Sequence, residues 1–272
     1  MRSLFFNIGF WWVSFWYVVL AAVLALIPGH KGVRWAVKRY STRMVQLMKL
    51  CGIKPEARGR ERLPAAPFIV APKHSSYGDG FLMYVQFDDV AFVTGDHLER
   101  FPLVPKILEK LGAIVIDNCG GPEARRDLAA SFARAAEAKR IVLIYPEGNL
   151  SEVGRHHRFR AGVWHMQEAS QWPVVPVATS LGLRWQQEDF TKYPGPAVIE
   201  FLDPIPPGLG KDEFLERLSD EIISHTDRLV AEGREWDVAN GLKREPDRQG
   251  KKADQETDDE RQERESAEKA GG

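Results

Sequence analysis

The chain has 272 residues, of which 44% are hydrophobic and 28% charged, with 37 Lys and Arg residues against 38 Asp and Glu. This balance excludes collagen, a wholly disordered chain and a small disulfide-rich domain. The two cysteines, Cys51 and Cys119, provide no disulfide framework, and a net charge of −1 gives no general reason to expect nucleic-acid binding.

Residues 1–28 are predicted to form a membrane anchor helix. Residues 4–28 are 25 consecutive positions without a charged side chain, and at about 1.5 Å per residue they exceed the roughly 30 Å hydrocarbon core of a bilayer. Phe, Trp and Tyr crowd the first two-thirds of this run and favour the headgroup boundary, so the helix either spans the bilayer or lies in one leaflet. A cleaved signal peptide fits less well, because the run is long and no clear small-residue cleavage site follows it.

Residues 29–62 are predicted to form a basic amphipathic helix and linker beside the membrane. They carry ten Lys and Arg residues but only Glu56 and Glu61, a local excess of +8. Apolar residues from Val33 to Cys51 recur at helical spacing beside these charges, which also fits an ordinary helix packed on a domain. Because basic residues next to an apolar segment favour the cytoplasmic side, we expect the rest of the chain on that face.

Residues 63–235 have the pattern of one α/β domain with a mixed, largely parallel sheet flanked by helices. Short β-rich runs occur at residues 68–71, 90–94, 113–116, 141–145, 174–179 and 197–202. One helical pattern starts near Pro122 and continues to Lys139, and another covers about residues 211–229. Strands that alternate with helices in this way predict the α/β class.

Residues 236–272 are predicted to be a charged, disordered tail. From Gly241 to Gly272, 18 of 32 residues are charged, 8 basic and 10 acidic. Such a segment buries too little apolar surface to offset the entropy lost on ordering, so we expect no catalytic role for it.

A candidate catalytic pair follows the first β-rich run of the domain. His74 and Asp79 are five positions apart in a segment that also contains Gly78 and Gly80. On a regular helix their side chains would point about 140° apart, so they meet only if the chain turns between them, which the two glycines permit. A His held by a carboxylate suits a general base. The alternative is a partly buried His and a helix-capping Asp that do not touch.

A second candidate segment, residues 141–151, is a buried strand that presents Glu147 at its end. Pro146 ends the strand and Gly148 allows a tight backbone course. Cationic side chains follow within thirteen residues of Glu147, at Arg155, His156, His157, Arg158 and Arg160. They form either an anion-binding site or an ordinary solvated loop.

Together these segments resemble the glycerolipid acyltransferase family, which includes acyltransferases of 1-acyl-sn-glycerol-3-phosphate and other lysophospholipids. The resemblance covers about residues 65–205 and four blocks in the family's order. They are the His-x4-Asp motif from His74 to Asp79, residues 112–118, residues 145–151 with 159–162, and residues 174–177. The N-terminal membrane segment that precedes these blocks strengthens the resemblance.

The resemblance implies that a fatty acyl group moves from a thioester donor, acyl-CoA or acyl carrier protein, to the free hydroxyl of a lysolipid. The first expectation is that 1-acyl-sn-glycerol-3-phosphate becomes phosphatidic acid. His74 would be the general base and Asp79 would orient it, with no acyl-enzyme intermediate, no metal and no other cofactor. Glu147 and Gly148, together with Ser151, would form part of the acceptor site.

The sequence departs from the family pattern where cations usually bind the acceptor phosphate. Those places hold Gly95, Leu150 and Asn118, the last of these in the second block. Loss of bidentate Arg contacts weakens the capture of a phosphate monoester. Replacement cations are available at Lys73, Arg155 and Arg158. Otherwise the acceptor is another lysophospholipid or a lyso-aminolipid.

Two other classes of protein compete with this interpretation. A serine hydrolase would use Ser180 in the segment Ala-Thr-Ser-Leu-Gly, with Asp203 and His225 following in hydrolase order. However, Ala178 replaces the first glycine of that motif, and no convincing helix pattern follows. A non-catalytic membrane scaffold would give His74, Asp79 and Glu147 no common purpose.

Overall fold

A computed structural model describes residues 1–95, 103–116, 130–135, 137–187 and 189–242. The helices are α1 (Arg2–Leu26), α2 (Lys31–Leu50), α3 (Asp79–Tyr84), α4 (Val104–Leu111), α5 (Gly162–Ser170) and α6 (Lys211–Ala239). The strands are β1 (Ile53–Arg58), β2 (Ile69–Pro72), β3 (Val90–Gly95), β4 (Ile114–Ile116), β5 (Ile141–Leu143), β6 (Val174–Thr179) and β7 (Gly195–Phe201). Residues 130–135 are also helical.

The strands of the described residues form one sheet in the order β1-β7-β6-β2-β5-β3-β4. Neighbouring strands are parallel except for β6 and β7, which are antiparallel. All residues of β2 and of β6 are buried, as expected where helices cover both faces of a sheet and the strands are continuous apolar runs. The predicted α/β fold with a mixed, largely parallel sheet is confirmed.

The sheet begins upstream of residue 63, in a segment that the sequence analysis assigns to the membrane-proximal linker. Residues 53–58 form β1, which pairs with β7 in parallel along its whole length. Because β1 contains Pro55 and charged residues, it does not appear as an apolar run in the sequence. A strand at the edge of a sheet tolerates both proline and charge. At the other end, α6 continues to Ala239, and the remainder of the predicted tail, residues 243–272, lies outside the described residues.

Helices pack on both faces of the sheet because successive residues of each strand point to opposite sides. Val70 of β2 belongs to a core that contains residues of α1, α2 and α3, among them Phe6, Met44 and Leu82. Its neighbours Ile69 and Ala71 belong to the opposite core, in which α5 and α6 contribute Val163, Met166, Phe214, Leu218 and Ile222. The carboxyl ends of β2 and β5 therefore emerge side by side between two helical layers, where α/β proteins place their sites.

Helices α1 and α2 run antiparallel to each other and form what we call the α1–α2 hairpin. A Cβ at Gly9 would lie 3.0 Å from Leu47, and the hydroxyl groups of Ser14 and Tyr40 are hydrogen bonded at 2.8 Å. Large apolar side chains cover the outer face of α1, including Trp11, Trp12, Phe15 and Trp16, each at least 51% exposed. With a mean hydropathy of 1.9 over its most apolar window, α1 is long and apolar enough to be a candidate membrane segment.

Candidate active site

The predicted pair of His74 and Asp79 is brought together just after the carboxyl end of β2. Nδ1 of His74 lies 3.2 Å from Oδ2 of Asp79. The same oxygen accepts hydrogen bonds from the backbone N–H groups of Ser75 and Ser76, each at 2.7 Å. Since Oδ2 is the acceptor in all of these contacts, Nδ1 carries the hydrogen and Nε2 keeps a free lone pair. The geometry therefore leaves Nε2 of His74 able to accept a proton.

The two side chains differ in their access to solvent. The imidazole of His74 is 24% exposed, whereas the carboxylate of Asp79 is 2% exposed. The second oxygen of Asp79, Oδ1, is enclosed and accepts no hydrogen bond from the described residues. The imidazole is therefore accessible from solvent, whereas the carboxylate is enclosed behind it.

The chain turns between His74 and Asp79 at Gly78, directly before α3. The two glycines predict a turn made possible by backbone freedom at Gly78 and Gly80, but the structure gives a different reason for the glycine at position 78. Gly78 has a φ of −79°, which any residue adopts, while a Cβ at this position would lie 2.7 Å from the indole of Trp185. Glycine is required here because the turn packs closely on Trp185. At Gly80 the nearest neighbour of a Cβ would be 4.0 Å away.

Tyr145 is a site residue to which the sequence analysis assigns no role. Its ring stacks on the imidazole of His74, with centroids 3.9 Å apart and planes inclined by 23°. The hydroxyl is enclosed without a hydrogen-bond partner among the described residues, and burial, together with the charge of Asp79, raises the pKa of Tyr145 well above its usual value. Tyr145 is therefore a neutral aromatic support for the imidazole. The sequence feature that could have indicated a site residue here is the position of Tyr145 just after β5, the parallel neighbour of β2.

Lys73, Glu147 and Ser151, which we call the lysine cluster, meet next to His74. Nζ of Lys73 donates hydrogen bonds to Oε2 of Glu147 and to Oγ of Ser151, both at 2.6 Å. The side chains of Lys73 and Glu147 are 2% and 0% exposed, and Ser151 is also buried. Burial lowers the pKa of Lys73, and the negative charge of Glu147 opposes that shift. All three are predicted from the sequence to bind the acceptor, whereas in the structure Lys73 joins Glu147 and Ser151 to each other.

The other predicted acceptor-binding residues lie around the turn after β5. Gly148 has a φ of +72°, and a Cβ there would lie 2.7 Å from Nε of Arg160, so the Arg160 side chain lies over this glycine. Arg155 and Arg158 are exposed, as is Arg160. Asn118 lies outside the described residues.

The hydrogen bonds of Ser180, Asp203 and His225 contradict the serine hydrolase alternative. Ser180 is buried, and its Oγ accepts a hydrogen bond from the backbone N–H of Val198 at 3.0 Å. Nδ1 of His225 instead lies 2.8 Å from the backbone carbonyl oxygen of Glu221 within α6, and the Asp203 side chain is 85% exposed. These three residues therefore form no triad.

Residues 54–180 of the chain match a family model described as Acyltransferase. The chain contains an acyltransferase-family domain. Both blocks that provide the site, His74 to Asp79 and Tyr145 to Ser151, lie within the matched residues. The predicted family and the predicted enzyme class, an O-acyltransferase, are confirmed.

Two curated relatives of the acyltransferase domain carry the name 1-acyl-sn-glycerol-3-phosphate acyltransferase. The protein from Pseudomonas aeruginosa is 27% identical over 181 residues, which are 66% of this chain and 70% of the relative. The protein from Limnanthes alba is 25% identical over 157 residues, which are 57% of this chain and 56% of the relative. The chain therefore spans little more than half the length of the plant relative.

A solved structure shares the fold. It is the 1-acyl-sn-glycerophosphate (LPA) acyltransferase PlsC from Thermotoga maritima, which matches with a TM-score of 0.66 at 18% sequence identity. The match covers 84% of this chain and 98% of that chain. At this identity the likeness establishes the fold alone.

Proposed function

We propose that the chain transfers a fatty acyl group from a thioester donor to the free hydroxyl of 1-acyl-sn-glycerol-3-phosphate, which yields phosphatidic acid. The observation that carries this proposal is the contact of 3.2 Å between His74 and Asp79, which leaves Nε2 as a base inside an acyltransferase domain. The choice of acceptor is supported by the names of the curated relatives.

In this mechanism Nε2 of His74 takes the proton of the acceptor hydroxyl as its oxygen attacks the thioester carbonyl carbon. The tetrahedral intermediate then expels the donor thiolate, which receives the proton from the imidazolium. Asp79 stabilises the imidazolium and fixes the tautomer through Nδ1, as a buried carboxylate does in other His-based sites. The acyl group passes directly to the acceptor, and the donor is acyl-CoA or an acyl carrier protein without a further cofactor or metal.

The acceptor phosphate is proposed to bind at the turn after β5. Arg155, Arg158 and Arg160 are exposed residues that follow this turn in the chain, and the side chain of Arg160 lies over Gly148. Guanidinium groups suit phosphate because they donate two parallel hydrogen bonds as well as charge. These arginines replace the cations that the family usually has at the positions of Gly95, Leu150 and Asn118.

The α1–α2 hairpin is proposed to lie in one leaflet of the membrane, with the catalytic domain on the cytoplasmic side. α1 contacts α2 from Gly9, which meets Leu47, to Leu24, which meets Gly32. Because α2 also packs on the sheet domain through the buried Met44, a crossing by α1 would draw charged residues of α2 into the hydrocarbon core. An apolar helix with exposed Trp and Phe residues that rests on a basic partner suits the lipid interface.

The first test offers the purified full-length chain a panel of lysolipids with both acyl-CoA and acyl carrier protein donors, and identifies products by mass. We expect lysophosphatidic acid to be acylated at least about tenfold faster than lysophosphatidylcholine, lysophosphatidylethanolamine or a lyso-aminolipid. The physical reason is that each charge-assisted hydrogen bond to the phosphate contributes roughly 1.5–3 kcal/mol. Preference for another acceptor would overturn the headgroup assignment, and absence of transfer to every acceptor would overturn the proposed function.

The membrane proposal predicts a loss of vesicle binding when charge is placed on the outer face of α1. Trp12 and Trp16 are 64% and 51% exposed and lie one helical turn apart. Membrane binding of an interfacial helix scales with its buried apolar area, and an anionic surface repels added carboxylates. Trp12→Glu with Trp16→Glu is therefore expected to lower binding to phosphatidylglycerol vesicles by at least about tenfold. Co-sedimentation measures this change.

The matched control for that measurement is Val238→Glu. Val238 is an apolar residue of α6 that is 81% exposed, so the control adds one carboxylate, half the charge of the double variant, to another exposed apolar position. We expect it to leave vesicle binding unchanged. Equal binding of the α1 variant and the control would contradict a membrane role for the outer face of α1.

A further inference from the structure

Most polar atoms of the lysine cluster are bonded within the protein, and the exception, Oε1 of Glu147, is enclosed without a hydrogen-bond partner among the described residues. The three hydrogens of Lys73 Nζ are directed at Oε2 of Glu147, Oγ of Ser151 and the carbonyl oxygen of Arg155, at 2.6, 2.6 and 3.1 Å. Oε2 of Glu147 also accepts a hydrogen bond from the backbone N–H of His157 at 3.0 Å. An ammonium group has three donors, so Lys73 has none left for an acceptor phosphate.

The cluster is bonded to the backbone of His74. Both the N–H and the Oγ–H of Ser151 donate to the carbonyl oxygen of His74, at 2.9 and 3.0 Å. Lys73 is the residue directly before His74, so its side chain ties the same stretch of backbone to the turn that carries Glu147. On the other side, Asp79 holds the N–H of Ser75 at 2.7 Å. The main chain around His74 is therefore fixed from two directions.

We propose that Lys73, Glu147 and Ser151 are positioning residues that hold the backbone of His74, and with it the imidazole, at the end of β2. This inference rests on the proposed function, in which His74 is the base, and it removes the three residues from the set that contacts the acceptor. The charges of Lys73 and Glu147 neutralise each other inside the protein, which permits their burial. Headgroup binding then falls to the exposed arginines after β5.

The decisive experiment separates kcat from the KM for lysophosphatidic acid in Ser151→Ala. This variant removes one hydrogen bond to the His74 carbonyl and one acceptor of Lys73, but leaves the Ser151 N–H in place. A displacement of a catalytic group by about 1 Å lowers rates by up to about 100-fold, so we expect kcat to fall by about 10- to 100-fold with the KM nearly unchanged. Ser151→Thr, which keeps the hydroxyl, is expected to restore most of kcat.

Two controls make the outcome specific. Ser41→Ala removes a serine that is equally buried and whose Oγ donates to a backbone carbonyl, that of Val37 at 3.0 Å, within α2; we expect kcat to stay at the wild-type value. Thermal unfolding of each variant reports on the fold. Glu147→Gln provides an independent second variant for which the same fall in kcat is expected.

Several results would overturn the inference. A rise in KM at constant kcat would assign Ser151 or Glu147 to acceptor binding, and unchanged kcat and KM in a folded Ser151→Ala would remove any positioning role. Another is a loss of activity in Ser151→Ala that is only proportional to a loss of folded protein. If Ser151→Thr then fails to restore kcat, the lysine cluster stabilises the fold and does not position His74. If His74→Ala is itself active, the proposed mechanism fails instead, so the two failures are distinguishable.

Discussion

The variant His74→Ala is expected to lower the rate of acyl transfer by about 10²- to 10⁴-fold, which is the usual contribution of a positioned general base. Without the imidazole, the attacking hydroxyl keeps its proton and the thiolate leaving group loses its proton donor. The ring is partly exposed and its contacts are one hydrogen bond to Asp79 and one stack on Tyr145. The fold is therefore expected to survive, and the rate is measured in vesicles that contain lysophosphatidic acid and acyl-CoA.

Ser180→Ala is the matched control, because Ser180 is the nucleophile of the rejected hydrolase alternative. Its Oγ accepts one buried hydrogen bond from the N–H of Val198, so the variant should lose about 1–3 kcal/mol of stability and keep its activity. A folded His74→Ala chain within about threefold of the wild-type rate would contradict the general-base assignment. An inactive but folded Ser180→Ala chain would bring the hydrolase back into consideration.

Six of the seven strands of the described residues could be predicted from the sequence because each is a short apolar run between turn residues. The predicted run at residues 174–179 coincides with β6, and each of the other five predicted runs overlaps a strand. β1 could not be predicted in this way, because its charged and proline residues at the edge of the sheet resemble a linker. Its pairing with β7 depends on a contact between distant parts of the chain.

The contact between His74 and Asp79 could be anticipated from their spacing and from the family resemblance, but the reason for the glycine between them could not. The requirement at Gly78 comes from Trp185, more than 100 positions away in the sequence. The stack of Tyr145 on His74 likewise depends on β2 and β5 being neighbours. Sequence motifs therefore identified which blocks form the site, and the tertiary fold decided which side chains touch.

The family motifs also could not separate side chains that face a substrate from those that face one another. Lys73 and Glu147 carry charge at the end of neighbouring strands, a pattern that indicates an anion or acceptor site. In the structure these opposite charges are buried together at 2.6 Å. Similarly, the composition of α1 fits a spanning helix and an interfacial helix equally well, and its pairing with α2 along its length favours the second.

The variant Asp79→Asn is expected to lower the rate by about 10²- to 10⁴-fold, because an amide carries no charge to stabilise the imidazolium that forms on His74. Asparagine keeps the size of the side chain and one acceptor oxygen for the N–H groups of Ser75 and Ser76. The backbone turn is thereby retained. The measurement is kcat in the same vesicle assay, with thermal unfolding to confirm that the variant is folded.

Comparison with the double variant shows whether Asp79 acts through His74. If the carboxylate serves only to orient and stabilise the imidazole, its loss has no further effect once the imidazole is gone. His74→Ala combined with Asp79→Asn should then be no slower than His74→Ala, because residues that act as a unit are strongly non-additive. If the charge of Asp79 acted independently of His74, for example directly on the bound substrate, the two losses would multiply. Multiplied losses in folded protein would therefore contradict a role of Asp79 that is exerted through His74.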